Sequence, residues 1–302
     1  MYAHVRTRAE ERVPPSVALG VAILAVSTSA ILVVWSDAPS VVAAFYRVLF
    51  TVLLLAPFAV TGHRDELRSL SLRDGLIAAA AGVALAIHFA AWFESLNWTS
   101  VAASLALVQS QPLFVAIGAY LLLGERITRT IVAGIAVAVG GIAIMSAGDL
   151  VGAGGLGPNP LFGNSLALIG AVTMAAYVLV GRSLRQRVPL IPYVTVVYGA
   201  CALVLLAIAV GQGQPLLDYP GREWILFLAM AVGPGVFGHT VVNWALARVE
   251  SSVVSVTLLG EPVGGSALAV LFLGEVPPPP TIVGGAVVLG GIYLTVRGRP
   301  SG

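Results

Sequence analysis

Residues 96–127, LNWTSVAASLALVQSQPLFVAIGAYLLLGERI, and residues 247–276, ARVESSVVSVTLLGEPVGGSALAVLFLGEV, decide the fold. Each contains an apolar run of about the 20 residues that cross a bilayer as a helix. Each run has a proline near its middle, Pro112 or Pro262, and ends in Leu-Gly-Glu. The runs are continuously apolar and do not alternate, which selects membrane helices over a β-barrel.

The rest of the chain agrees with that reading. It has 302 residues, 58% of them hydrophobic and only 10% charged, and its mean hydropathy is +0.96. A soluble globule of this size could not hide so much apolar surface, and disorder is excluded on the same grounds. The basic residues are all arginine and the net charge is +2, with no basic stripe for nucleic acid. The single cysteine, Cys201, rules out an internal disulfide and a cysteine metal site. No metal or other cofactor is expected.

Ten spans are predicted: Pro15–Trp35, Val41–Gly62, Gly75–Phe93, Ser100–Leu123 and Thr130–Ala147, then Leu161–Gly181, Ile191–Val210, Trp224–Leu246, Ser251–Leu273 and Thr281–Val296. The first is too long for the core of a cleaved signal peptide and is read as retained. With a cytoplasmic N-terminus, every arginine but Arg47 and Arg222 falls on the cytoplasmic side, as the positive-inside rule requires. The expected location is the cytoplasmic (inner) membrane, multi-pass, with both termini cytoplasmic.

Pro112, Gly124, Glu125, Gly134, Gly140 and Gly141 recur 150 residues later as Pro262, Gly274, Glu275, Gly284, Gly290 and Gly291. Gly82 and His88 match Gly233 and His239 at an offset of 151, a shift of one residue. Five helices per unit is an odd number, so the second copy would enter the membrane from the other side. Inverted repeats of this kind are a common transporter plan, with the substrate site near midplane where the repeats meet. The expected organisation is a tail at 1–14, a first repeat at 15–147, a link at 148–160, a second repeat at 161–297 and a tail at 298–302.

Several of these stretches carry a resemblance. PSVVAAFYRVLFTVLLL (39–55) resembles the second helix of EamA-type members of the drug/metabolite transporter superfamily. Residues 96–127 resemble that family's fourth helix and following linker, and residues 247–276 its ninth helix with the Glu-Pro pair. The resemblance runs from about residue 15 to 297. One departure is the run Pro277–Pro280, which stands where the first repeat has Arg126–Arg129. The resemblance implies ten helices, cytoplasmic ends, a central cavity and alternating access, commonly used to export amino acids or other metabolites.

Ionisable side chains at membrane depth cost roughly 2.5–3.5 kcal/mol on insertion scales, so each needs a partner, a wet cavity or a function. Glu261, just before Pro262, is the leading candidate. It reads as a proton site or substrate-amine contact, or alternatively as a carboxyl that pins helix packing, paired with Arg47. Proline there opens the preceding turn toward a cavity. Gln111 holds the matching position in the first repeat. Gln109 points about 200° away from it, and an interhelical hydrogen bond is the plainer role for either. His88 and His239 form a second symmetric pair, with Trp92 and Asn243 four residues on and therefore on the same faces. They suit a proton relay or a carboxylate contact, or a plain helix–helix contact. Arg47, beside Tyr46, counters Glu261, meets an anionic group on the substrate, or snorkels. Pro112, Pro234 and Pro262 are expected to bend their helices.

Other signals carry less. Gly152, Gly154 and Gly157 fit GxGxxG but lack the strand and crossover that would make it a nucleotide site. Gly134/Gly141 and Gly284/Gly291 form ridges for close helix packing, toward the bundle or a second protomer. Trp35, Trp92, Trp98, Trp224 and Trp244 fall mostly near span ends, where aromatic belts form. Glu125 and Glu275 are placed at the interface, on opposite sides. Asp37, Asp65, Asp74, Asp149 and Asp218 are placed in loops, which leaves no intramembrane catalytic pair, and no P-loop is present. The resulting expectation is an all-α integral membrane carrier and not an enzyme. It would export a small polar metabolite, most plausibly an amino acid, and contact membrane lipid as a monomer or homodimer. Proton coupling or facilitated diffusion both fit, and a scaffold or passive channel is the rival reading.

Overall fold

The computed structural model describes residues 13–152, 158–274 and 279–298. Expectations for Arg6, Arg8, Arg12, Gly154, Gly157, Glu275, Pro277 and Arg299 fall outside these residues.

The chain is 83% helical, with no strand among the described residues. The elements in order are α1 (Pro15–Val34), α2 (Ser40–Gly62), a short α3 (Arg64–Arg68), α4 (Leu72–Trp98), α5 (Val101–Val108), α6 (Gln111–Leu123) and α7 (Arg129–Gly152). Next come α8 (Pro160–Leu184), α9 (Leu190–Gly211), α10 (Gly221–Met230), a π-helix (Ala231–Thr240), α11 (Val241–Leu246), α12 (Ser251–Thr257), α13 (Gly260–Leu273) and α14 (Pro279–Arg297). They build ten helices long and apolar enough to cross a membrane. Large apolar side chains such as Leu122, Leu203 and Leu271 point outward, where lipid is the solvent that accepts them. This is an all-α, multi-pass integral membrane protein.

Local chemistry sets the ends. Ser71, Ser100 and Asn159 cap α4, α5 and α8 through their side-chain oxygens, each satisfying one otherwise orphaned N–H. Gly124 and Gly274 close α6 and α13 with φ of 65° and 68°, a left-handed turn that glycine adopts without penalty. The fourth span breaks between Val108 and Gln111, and the ninth between Thr257 and Gly260. In each, the proline that follows, Pro112 or Pro262, has no N–H to continue the ladder. Pro234 lies within the π-helix, the segment where the repeat offset slips to 151.

Three expectations are corrected. The third span runs from Leu72 to Trp98, longer than Gly75–Phe93, because Ser71 caps it earlier and its polar end continues to Trp98. Asp65, Asp74 and Asp149 lie on helices α3, α4 and α7 and not in loops. The segment expected as a link is helical through Gly152, and Pro160 already opens α8.

Helix α2 packs on α9, and α7 on α14; α4 packs on α8 and α9, while α1 lies against the π-helix and α13. Exchanging the first five spans for the last five turns α4–α8 into the π-helix–α1 pair, α4–α9 into π-helix–α2 and α1–α13 into α8–α6, all of them packed pairs. The main core gathers Phe45, Leu85, Tyr177, Tyr193 and Phe227, and a second core joins Ile131, Ile135, Ile142, Leu259 and Val288. The glycine ridges face each other inside this one chain. A Cβ on Gly141 would lie 2.7 Å from the Val288 amide nitrogen, and one on Gly291 2.7 Å from the Ala138 Cα.

Candidate functional site

Arg47 is carried by α2 and is 8% exposed. Its Nη2 lies 3.1 Å from Nε2 of His239 on the π-helix, and its guanidinium sits 4.6 Å from the centre of the Phe89 ring on α4. An arginine always donates, so Nε2 of His239 accepts and the imidazole is neutral with its proton on Nδ1. That Nδ1 is buried without a partner among the described residues. His88 is arranged differently. Its Nδ1 donates to the Gly170 carbonyl at 2.9 Å, and its ring stacks on Trp92 at 5.9 Å. The two histidines expected as a symmetric pair therefore have different jobs: His88 ties α4 to α8, while His239 faces the arginine.

Two cavities meet at Arg47. One, of about 80 Å³, is bordered by Ser36, Ser40, Ala43, Arg47, Phe93 and Met230, beside the turn between α1 and α2. The other, of about 10 Å³ and so room for about one water, lies between Arg47, Thr51, Leu85, Tyr198 and His239. Below it, fully buried Asn243 places Nδ2 within hydrogen-bond reach of Tyr177, Tyr198 and the His239 carbonyl.

None of the remaining candidates is among the residues that line these two cavities. Gln111 is buried with its Oε1 unpartnered, as is the Trp92 Nε1, and Gln109 is half-buried at the end of α5. Glu261 sits half-buried in the first turn of α13, where its backbone carbonyl accepts from Ser27 Oγ at 3.1 Å. Its carboxylate is close enough to feel the charge of Arg47, but no ion pair joins them among the described residues. Tyr46 turns away from its neighbour Arg47. It stacks on Phe227 with ring centres 4.9 Å apart and donates to the Leu216 carbonyl, so it belongs to helix packing and not to the cavity.

Glu125, just past the end of the fourth span, has 7% of its side chain exposed and Arg182 Nε at 3.0 Å. It accepts from the Ser251 backbone N–H and hydroxyl at 3.0 Å and from Ser252 Oγ at 3.2 Å. All these partners lie at span ends, and the carboxylate satisfies the first N–H of α12, which arrives from the other half of the chain. Phe89, Tyr198, Tyr177 and Arg182 were not singled out in the sequence. The Tyr198 hydroxyl in an otherwise apolar helix was the one available sign.

An all-α membrane protein with polar side chains collected around interior cavities defines a multi-pass carrier-like class. The sequence profile of the EamA-like transporter family matches residues 16–147 and again residues 161–297. The chain belongs to the EamA-like transporter family and is a membrane transporter. It is 28% identical over 209 residues to a probable terminal-alkyne amino-acid exporter of Streptantibioticus cattleyicolor, covering 67% of each chain. An uncharacterized transporter of Archaeoglobus fulgidus is 29% identical over 62% of this chain and 65% of its own length. A solved crystal structure with 20% identity superposes with a TM-score of 0.81 over 94% of this chain and 97% of that one, which supports the fold alone.

Proposed function

We propose that the protein exports a small amphipathic metabolite, an amino acid or close relative, across the cytoplasmic membrane by alternating access. The observation that carries this reading is the meeting of two cavities at a buried cation within the span bundle. A relative named as an amino-acid exporter supports the substrate class. The two family matches and the exchange symmetry of the helix contacts support two five-helix repeats of opposite orientation, 15–147 and 161–297. The arginine-rich ends of the spans then face the cytoplasm, with both termini there.

The two halves are not packed alike, a difference that fits a carrier open to one side of the membrane. Every residue of α12 is buried, whereas in α5 Ala103, Leu105, Ala106 and Leu107 are only half-buried. The arginine-rich face is closed by Glu125, and the larger cavity runs toward the opposite face.

Counterflow in proteoliposomes tests the reading. Labelled amino acid is expected to enter faster when unlabelled substrate waits inside. Uptake indifferent to internal substrate would make the protein a channel, and no uptake across the twenty amino acids would remove amino-acid transport.

Glu261→Gln separates transport from packing at that position. A charge without an ion-pair partner among the described residues costs the fold about 2.5–3.5 kcal/mol, so the neutral isostere is expected to melt no lower than wild type. Counterflow is expected to fall at least about tenfold, equivalent to 1.4 kcal/mol. Unchanged transport with a lowered melting temperature would assign Glu261 to packing.

A further inference from the structure

Arginine has five N–H donors, and Arg47 spends one of them on a protein acceptor, His239. Phe89 covers part of the guanidinium, and neither neighbour is an anion. Glu261 acts on Arg47 only from beyond contact. A buried cation lining two cavities with most of its donors unspent is a site prepared for an anionic group that is planar and takes two parallel hydrogen bonds.

The walls describe the rest of the ligand. The cavity that leads to Arg47 is bordered by Ala43, Phe93 and Met230 on its apolar side and by Ser36 and Ser40 near its mouth. We propose that Arg47 is the carboxylate-binding residue of the transport site, with His239 holding the guanidinium in place and the apolar wall receiving the substrate's side chain. The inference rests on the transport reading above and adds which chemical group is recognised and by what. A carboxylate fits better than a bare cation or a neutral solute, because only an anion supplies charged acceptors for the arginine donors.

The test is competition in the counterflow assay. Wild type, Arg47→Lys and Arg47→Gln are each reconstituted, and a carried amino acid competes with its amide, its methyl ester, its decarboxylated amine and the matching 2-oxo acid. In wild type, loss of the carboxylate is expected to weaken competition about thirtyfold or more, the scale for removing one partner of a buried charge pair. Arg47→Gln raises KM by a similar factor and makes acid and amide equal competitors, with Arg47→Lys between. The 2-oxo acid identifies the source: if it competes as well as the amino acid, the carboxylate alone is read, and if it does not, an ammonium is read as well. Both results keep Arg47 as the carboxylate site. If wild type carries the amino acid but amide and amine compete equally well, the inference fails while transport stands. If no amino acid is carried, the transport reading fails and the inference with it. The analogue series uses wild type alone, so it can overturn the inference even if Arg47→Gln does not fold, and Arg47→Lys then ties the preference to this residue.

Discussion

Replacing Glu125 with alanine is expected to open the arginine-rich face of the protein. That one carboxylate accepts four hydrogen bonds, from Arg182 and from the start of α12. Arg182 in turn donates to the Leu246 carbonyl at the end of α11. The ends of the fourth, sixth and eighth spans and the start of the ninth are thus tied at a single point. Removing one partner of a buried pair costs about 3–5 kcal/mol. Arg182 is one-fifth exposed, so about 2 kcal/mol is the fitting figure. That shifts an open–closed equilibrium about thirtyfold. The native Cys201 is buried, so a single introduced cysteine reports alone. Ser255 is fully buried in α12 and does not touch Glu125. Labelling of Ser255→Cys by a membrane-impermeant maleimide is expected to rise about thirtyfold in the Glu125→Ala background, with Glu125→Gln between. Equal labelling in all three would mean that Glu125 caps a helix and nothing more.

The sequence was informative where the signal is local. Ten apolar runs gave ten spans, and Gly124, Gly274, Pro112 and Pro262 marked ends and breaks through chemistry that acts within one or two turns. The site was legible as an inventory but not as an arrangement. Arg47 and His239 stand 192 residues apart, and the rotation of each helix that brings them together is set by packing of α2, α4 and the π-helix. The one-residue slip near His239 was visible in the repeat, but nothing in it marks the π-helix, whose Gly233 and Gly238 lie against α1. Tyr46 shows the reverse error: adjacency to Arg47 suggested a shared site, but neighbours in a helix point about 100° apart, and Tyr46 faces Trp224 and Phe227 instead. The partners of Glu125 were not legible, because how far an acid is covered is decided by what arrives beside it. Its partners come from Arg182 and α12, far along the chain.

The glycine ridges lead to the second large expected effect. A Cβ on Gly141 would sit 2.7 Å from the Val288 amide nitrogen and 2.8 Å from the Gly284 carbonyl. Both are backbone atoms of α14, so no rotamer change relieves the overlap. Seen from the partner helix, a Cβ on Gly284 would come within 2.6 Å of the Gly141 carbonyl. Helices α7 and α14 therefore touch backbone to backbone, and a larger residue must push them apart along their length. In a membrane no hydrophobic effect draws helices back together, because lipid tails are as apolar as the side chains. Ordinary overpacking costs about 1–3 kcal/mol, and a rigid backbone neighbour on both sides places this case at or above that range. Gly140 is the internal control: it is one residue away, exposed, with nothing within 4 Å of its Cβ position. Gly141→Leu is expected to abolish the monodisperse size-exclusion peak, whereas Gly140→Leu keeps the peak and a wild-type melting temperature. The opposite pattern would place the working ridge on the outer surface, where a second protomer would sit. The pairing also bears on transport. Val288 on α14 and Leu259 at the break of the ninth span share one buried cluster with Ile135 and Ile142 of α7, so the helix pair forms the fixed wall against which the segment carrying Glu261 is held.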